Sequence, residues 1–264
     1  MNLRVFKNIE EFSQGTSEFI AERLRDISVS GKEDISVVLA GGNTPVPVYE
    51  KLASSLLEEL VDVIERIRWF FGDERWVGVS HSDSNEGMAR RTLLNRLKVS
   101  QESIFSWRVD RFKDLDFEDS SNAPVECALE YEKRLEEFFI ARGERPDIVI
   151  LGMGDDGHTA SLFPDGEFVL KERSSGKILR DAMNPDIDRL AVAVYRKHFD
   201  MWRLTLTPKF FNMARLVVFL IDGAKKRGIF RRILETGGRE GRDIPATWIS
   251  GEETLYFVTS SVYS

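Results

Sequence analysis

Six short apolar runs punctuate the chain: ISVVLA (Ile35–Ala40), IRWFF (Ile67–Phe71), DIVILG (Asp147–Gly152), LAVAVY (Leu190–Tyr195), LVVFLI (Leu216–Ile221) and TLYFVT (Thr254–Thr259). Several are apolar at consecutive positions rather than at every second one. A strand of that kind must be buried on both faces, as in a parallel sheet covered by helices. The segments between them read as helices: Ile9–Ile27, Pro45–Leu60, Asn85–Leu97, Val125–Ala141, Lys209–Ala214 and Ala224–Glu235. Strands alternating with helices predict an α/β fold with a mostly parallel sheet flanked by helices.

The 264 residues suit one large domain spanning 1–264. The polar stretches 110–124, 171–177 and 236–243 read as loops, and none is long enough to link separate domains. A net charge of −7 argues against a nucleic-acid binder, which would be basic. It does not argue against an anionic small substrate, because a few arginines in a cleft outweigh a distant surface field. The one cysteine, Cys127, shares a helical face with Tyr131, Leu135 and Phe138 and reads as a core residue. The stretch MNLRVFKNIEEF lacks the apolar core of a signal peptide, and LVVFLI is far shorter than the roughly 20 residues of a membrane span. A cytoplasmic protein with no membrane association is expected.

In open α/β sheets ligands bind beyond the carboxyl ends of the strands, and three strand ends here carry unusual residues. The first is AGGNTP. Gly41 and Gly42 allow a tight turn, Asn43 can donate, Thr44 is placed to cap the next helix, and Pro45 suits its first position. A helix N-terminus suits a phosphate, although such a turn alone is generic. The second is FFGDERWVG, where Arg75 can face an anion and Asp73 can orient a substrate or handle a proton. Taken alone it also reads as a salt-bridged strand end.

The third is LGMGDDGHTASLFP. His158 follows a buried strand and a glycine-rich turn, where a group titrating near neutrality can accept and return a proton. Asp156 is close enough in sequence to fix its tautomer. No second histidine lies at helical spacing and the order does not fit a Ca²⁺ loop, so no metal is assigned; no cofactor is assigned either. His81 lies in the loop after Arg75 and is not assigned as the base; His198 reads as a surface or loop residue. Arg203 and Lys226 add cations near further strand ends. Singly each reads as a solvated charge; with Thr44 and Arg75 they suggest a pocket for a phosphorylated ligand.

AGGNTP, FFGDERWV, HSDSNEGMARRTLL, LGMGDDGHTASLFP, RLTLTPKFFNMARLVVFLIDGAKK and the final IPATWI and LYFVT occur in an order that resembles the 6-phosphogluconolactonases, from about Phe6 to Phe257. The resemblance implies a Rossmann-like fold similar to that of the sugar-phosphate isomerase/deaminases. It also implies hydrolysis of 6-phospho-D-glucono-1,5-lactone to 6-phosphogluconate in the oxidative pentose phosphate pathway. The family's catalytic histidine maps onto His158. Its phosphate-binding and substrate-positioning residues map onto Gly41, Gly42, Thr44 and Arg75, and then Arg203 and Lys226. The family's glycine loop usually reads S-G-G-S-T-P; here Ala40 and Asn43 replace the two serines.

On this reading His158 activates water, Asp156 or Asp73 orients the imidazole or the water, and the partner molecule is a phosphorylated sugar lactone. Two alternatives stand beside it: a glucosamine-6-phosphate isomerase/deaminase and a non-catalytic phosphosugar sensor. The deaminases place a glutamate five positions after the histidine. Here that position is Phe163, which cannot relay a proton.

Overall fold

The computed structural model describes residues 2–113, 122–172, 175–197, 200–236 and 243–263. Two sheets organise it. The larger has seven strands: β1 (Asn2–Phe6), β2 (Ile35–Leu39), β3 (Ile67–Phe71), β5 (Ile104–Phe105), β6 (Ile148–Gly152), β11 (Leu216–Ile221) and β12 (Glu253–Thr259). Their order is β1-β12-β11-β6-β2-β3-β5, and every pairing is parallel. The expected parallel α/β sheet is therefore present.

The smaller sheet has β4 (Asp73–Arg75), β7 (Glu167–Lys171), β8 (Ile178–Ala182), β9 (Ala191–Arg196) and β10 (Met201–Leu206). Its order is β4-β10-β9-β7-β8, and all pairings are antiparallel. The LAVAVY run thus forms a strand as read, but in this second sheet. Helix Asn122–Leu135 packs against β9, so a two-sided apolar run arises without a parallel neighbour.

Helix α1 (Ile9–Val29) begins at Asn8, whose side chain accepts from the Glu11 N–H at 2.9 Å. It buries Phe12, Phe19, Ile20 and Leu24 against α2 (Pro45–Glu59) and the sheet. In the core, the Phe70 ring stacks on Phe105 at 4.5 Å and meets Phe138 and Phe139 near 5 Å. Cys127 is buried as expected; its Sγ–H donates to the Trp107 carbonyl at 3.1 Å, and burial pushes its thiol well above the ordinary range. Among the described residues no helix is long and apolar enough to cross a membrane.

The connectivity places the site. From β2 the chain moves outward to β3 and β5, then returns to β6 on the other side of β2 and continues to β11 and β12. That reversal opens a crevice beyond the carboxyl ends of β2 and β6. At Gly72 the chain leaves the parallel sheet and enters β4, which carries Asp73 and Arg75 to the same end.

Candidate active site

A cleft of about 640 Å³, open to solvent, lies at this crevice. The loop after β2 contributes Gly41, Gly42, Asn43 and Thr44; β4 contributes Asp73 and Arg75; the loop after β6 contributes Gly154, His158 and Ala160; the turn after β11 contributes Lys226. Four segments far apart in the chain thus meet at one cleft. Arg203 does not line it. It pairs with Arg75 across β10 and β4, and burial, followed by the Arg75 charge, lowers its guanidinium from the ordinary value.

The glycine loop is held from behind. Tyr49 of α2 accepts from the Ala40 N–H at 2.8 Å and donates to the Ala40 carbonyl at 3.0 Å, which closes off the end of β2. Gly41 is required by contact: a Cβ there would sit 1.8 Å from the Asn85 side-chain oxygen. Gly42 turns the chain with φ +85. Thr44 departs from expectation. Its backbone is already helical (φ −59, ψ −40) and its side chain makes no capping hydrogen bond. An N-cap side chain reaches the first-turn N–H groups from extended backbone, and Thr44 is not extended. Its residue lines the cleft instead.

Asp73 is buried, and both of its carboxylate oxygens are engaged. Asn85 Nδ2 donates to Oδ1 at 3.0 Å and Ser161 Oγ to Oδ2 at 2.7 Å. Because Asn85 packs on Gly41 and Ser161 lies in the histidine loop, Asp73 ties three of the four segments together. Its neighbour Glu74 accepts from the backbone N–H groups of Arg75, Asn85 and Glu86. Burial pushes the Glu74 carboxyl up to about 7 against the pull of those three donors. Arg75 donates to the Asp83 carbonyl at 2.5 Å.

The histidine loop is built around one ring. His158 Nδ1 lies 2.5 Å from Asp156 Oδ1, which also accepts the His158 backbone N–H at 3.0 Å. Partial burial raises the Asp156 carboxyl, but the hydrogen bonds and charge of His158 outweigh it and hold the group at about 2. Gly154 leaves room for the imidazole: a Cβ there would lie 2.1 Å from Nδ1 and Cε1. The Phe163 ring lies 4.7 Å from the imidazole, tilted by 45°. Thr159 Oγ1 donates to the Gly152 carbonyl at 2.8 Å and fastens the loop to β6. Between the two candidate orienting carboxylates the geometry favours Asp156; no hydrogen bond joins Asp73 to His158 among the described residues.

Burial lowers the Lys226 ammonium from its ordinary value, while Asp155 and Asp222 favour its charge. His81 is half exposed, accepts from the Asp83 N–H at 3.1 Å and does not line the cleft; His198 lies outside the described residues.

The model of the glucosamine-6-phosphate isomerases/6-phosphogluconolactonase family matches residues 7–257. The chain belongs to the 6-phosphogluconolactonase family within that superfamily. It is 38% identical over 205 residues to a 6-phosphogluconolactonase of Nostoc sp., covering 76% of this chain and 72% of that one. A 6-phosphogluconolactonase crystal structure from Thermotoga maritima superposes with a TM-score of 0.71 at 28% identity, over 98% and 99% of the two chains. The 6-phosphogluconolactonase from Trypanosoma brucei gives 0.78 at 25%, over 99% and 97%.

Within this family frame, the expected residues fall into two groups. Gly41, Gly42, Asn43, Thr44, Asp73, Arg75, His158 and Lys226 line the cleft; Asp156 reaches it through His158, and Arg203 stays outside it, opposite Arg75 in the β10–β4 ladder. Sequence reasoning missed Tyr49, Glu74 as a loop anchor, Asn85 and Ser161. Asn85 lay inside the quoted HSDSNEG run, but its packing on Gly41 has no local signal.

Proposed function

We propose that the chain hydrolyses 6-phospho-D-glucono-1,5-lactone to 6-phospho-D-gluconate, the second step of the oxidative pentose phosphate pathway. One observation carries the reading. An imidazole fixed at Nδ1 by an ionised carboxylate lines the same cleft as the N-terminus of α2, Arg75 and Lys226. With Asp156 accepting at Nδ1, the ring's proton belongs there and Nε2 keeps its lone pair.

Nε2 takes a proton from water as the water oxygen bonds to the lactone carbonyl carbon. The tetrahedral intermediate then breaks its bond to the ring oxygen, and Nε2–H returns the proton to that oxygen. One histidine serves both transfers. The glycine loop, the helix end and the two cations hold the phosphate at the far end of the substrate. Remote binding energy thereby positions the reacting carbon. Asp73, held by one hydrogen bond at each oxygen and with lone pairs remaining, acts as a fixed acceptor for a substrate hydroxyl or the attacking water.

The direct test is hydrolysis of the lactone by purified protein, corrected for its spontaneous hydrolysis; a rate no greater than the spontaneous one would overturn the proposal. Arg75→Ala is expected to weaken use of the phosphorylated lactone far more than that of glucono-1,5-lactone, because only the first carries the anion. Equal losses would make Arg75 structural or place it at the reacting carbonyl. Lys226→Ala is expected to behave in the same way.

Incubation with glucosamine 6-phosphate is expected to release no ammonia above background. Ring opening and amine loss need proton transfers at several separate atoms, and the position five residues after His158 offers only the buried phenyl ring of Phe163. Ammonia release comparable to lactone hydrolysis would refute this expectation.

A further inference from the structure

We infer that Arg196 is a positioning residue that holds the His158 ring through Phe163, an inference that rests on His158 being the general base. The Arg196 guanidinium carbon lies 4.1 Å from the centroid of the Phe163 ring, and that ring in turn lies 4.7 Å from the imidazole. Arg196 Nη2 donates to both carboxylate oxygens of Asp165 at 3.0 and 3.1 Å. Asp165, Arg196, Phe163, His158 and Asp156 therefore form one continuous chain of contacts. Only His158 among them lines the cleft.

The physical need for such a chain lies at the imidazole. The ring is tethered at Cγ by its bond to Cβ and at Nδ1 by its hydrogen bond to Asp156, and it can still rock about the line through those two atoms. Rocking moves Nε2, the atom that must meet the water. The Gly154 backbone, with no space for even a Cβ, and the tilted Phe163 ring both close on the imidazole. Gly154 is fixed by its N–H donating to the His158 carbonyl at 2.8 Å. Phe163 has no polar side-chain atom with which to fix its own ring. A guanidinium over the ring face supplies an attraction with a preferred geometry, and it is stronger where water is excluded. The Arg196 side chain is 16% exposed and Phe163 is 5% exposed. The ion pair with Asp165 restrains the guanidinium in turn.

The test compares Arg196→Met, which keeps a long side chain but drops the charge, with Arg196→Lys, which keeps a cation. Arg196→Met is expected to lower kcat about five- to tenfold with KM unchanged, since the group acts on the geometry of the base and not on phosphate binding. Arg196→Lys is expected to restore most of the loss. Asp165→Asn, which removes the charge of that ion pair, is expected to shift kcat in the same direction by less. The His158 Cε1–H proton resonance, assigned with His158→Gln, senses the ring current of Phe163. It is expected to move in Arg196→Met and to stay near the wild-type position in Arg196→Lys.

An unmoved resonance with wild-type kcat in Arg196→Met would overturn the inference. So would equal kcat losses in Met and Lys with the resonance unmoved in both, because Arg196 would then act on something other than the ring. If the wild-type protein fails to hydrolyse the lactone, the functional reading falls and the resonance alone decides whether Arg196 positions His158.

Discussion

His158→Ala is expected to lower the enzymatic rate of lactone hydrolysis about 10²–10⁴-fold, the usual cost of removing a general base. Binding of 6-phosphogluconate is expected to survive, because the proposed phosphate-holding groups, the glycine loop, Arg75 and Lys226, line the cleft from separate strand ends. The measurements are initial rates corrected for spontaneous hydrolysis and a product titration on the same preparation. Near wild-type turnover would remove His158 from the mechanism.

The pH profile supplies an independent arm. The Asp156 carboxyl, held at about 2, stays ionised throughout the range in which histidines titrate. The rate is expected to fall as pH falls: Glu74, pushed up to about 7, loses in that range the charge that holds three backbone N–H groups of the site, and any proton taken up at Nε2 removes the lone pair the mechanism needs. The Asp156 shift has a sign for stability. A carboxyl lowered from 3.8 to about 2 contributes stability that is present above its unfolded value and lost as pH falls through its folded one.

Gly154→Ala is expected to approach the effect of removing the histidine, with a loss of about 10²-fold in kcat. The added methyl would lie 2.1 Å from two atoms of the imidazole and 2.8 Å from Asp156 Oδ1. No rotation of the methyl relieves contacts that close, so the ring must leave its place or the turn must open. Either outcome separates Nε2 from its working position while the phosphate clamp is untouched. KM is expected to change little and the circular dichroism spectrum to stay folded. Wild-type kcat in this variant would mean that the ring does not work from the position described.

The chemistry-bearing residues were legible because they cluster in sequence just past apolar strands. Strand ends in a parallel sheet all point one way, so AGGNTP, GDER and GDDGH were bound to share an edge once the sheet was recognised. Glycine next to a histidine and an aspartate two residues before it are local patterns, and the 2.5 Å contact of Asp156 with His158 follows from the turn itself. Cys127 was legible for the same reason, since helical periodicity alone assigned it to the core.

Other features had no local signal. β4 has three residues and β5 has two, too few to show a period. LAVAVY reads as a parallel-sheet strand because burial on both faces looks the same in either kind of sheet; only its partners make it antiparallel. Thr44 sits where a capping residue belongs, and its helical backbone angles decided otherwise.

The sequence by itself determined the fold class, the edge at which the site lies and the identity of its histidine, because these follow from periodicity and from residues adjacent in the chain. The tertiary structure alone decided that the other candidate carboxylate, Asp73, bridges the loops and, among the described residues, makes no hydrogen bond to the histidine. Asp73 is joined to Ser161 across 88 positions, Tyr49 closes the end of β2, and Arg196 reaches His158 through Phe163. Those contacts depend on how the two sheets and the helices pack, and a short-range pattern in the chain carries no record of that packing.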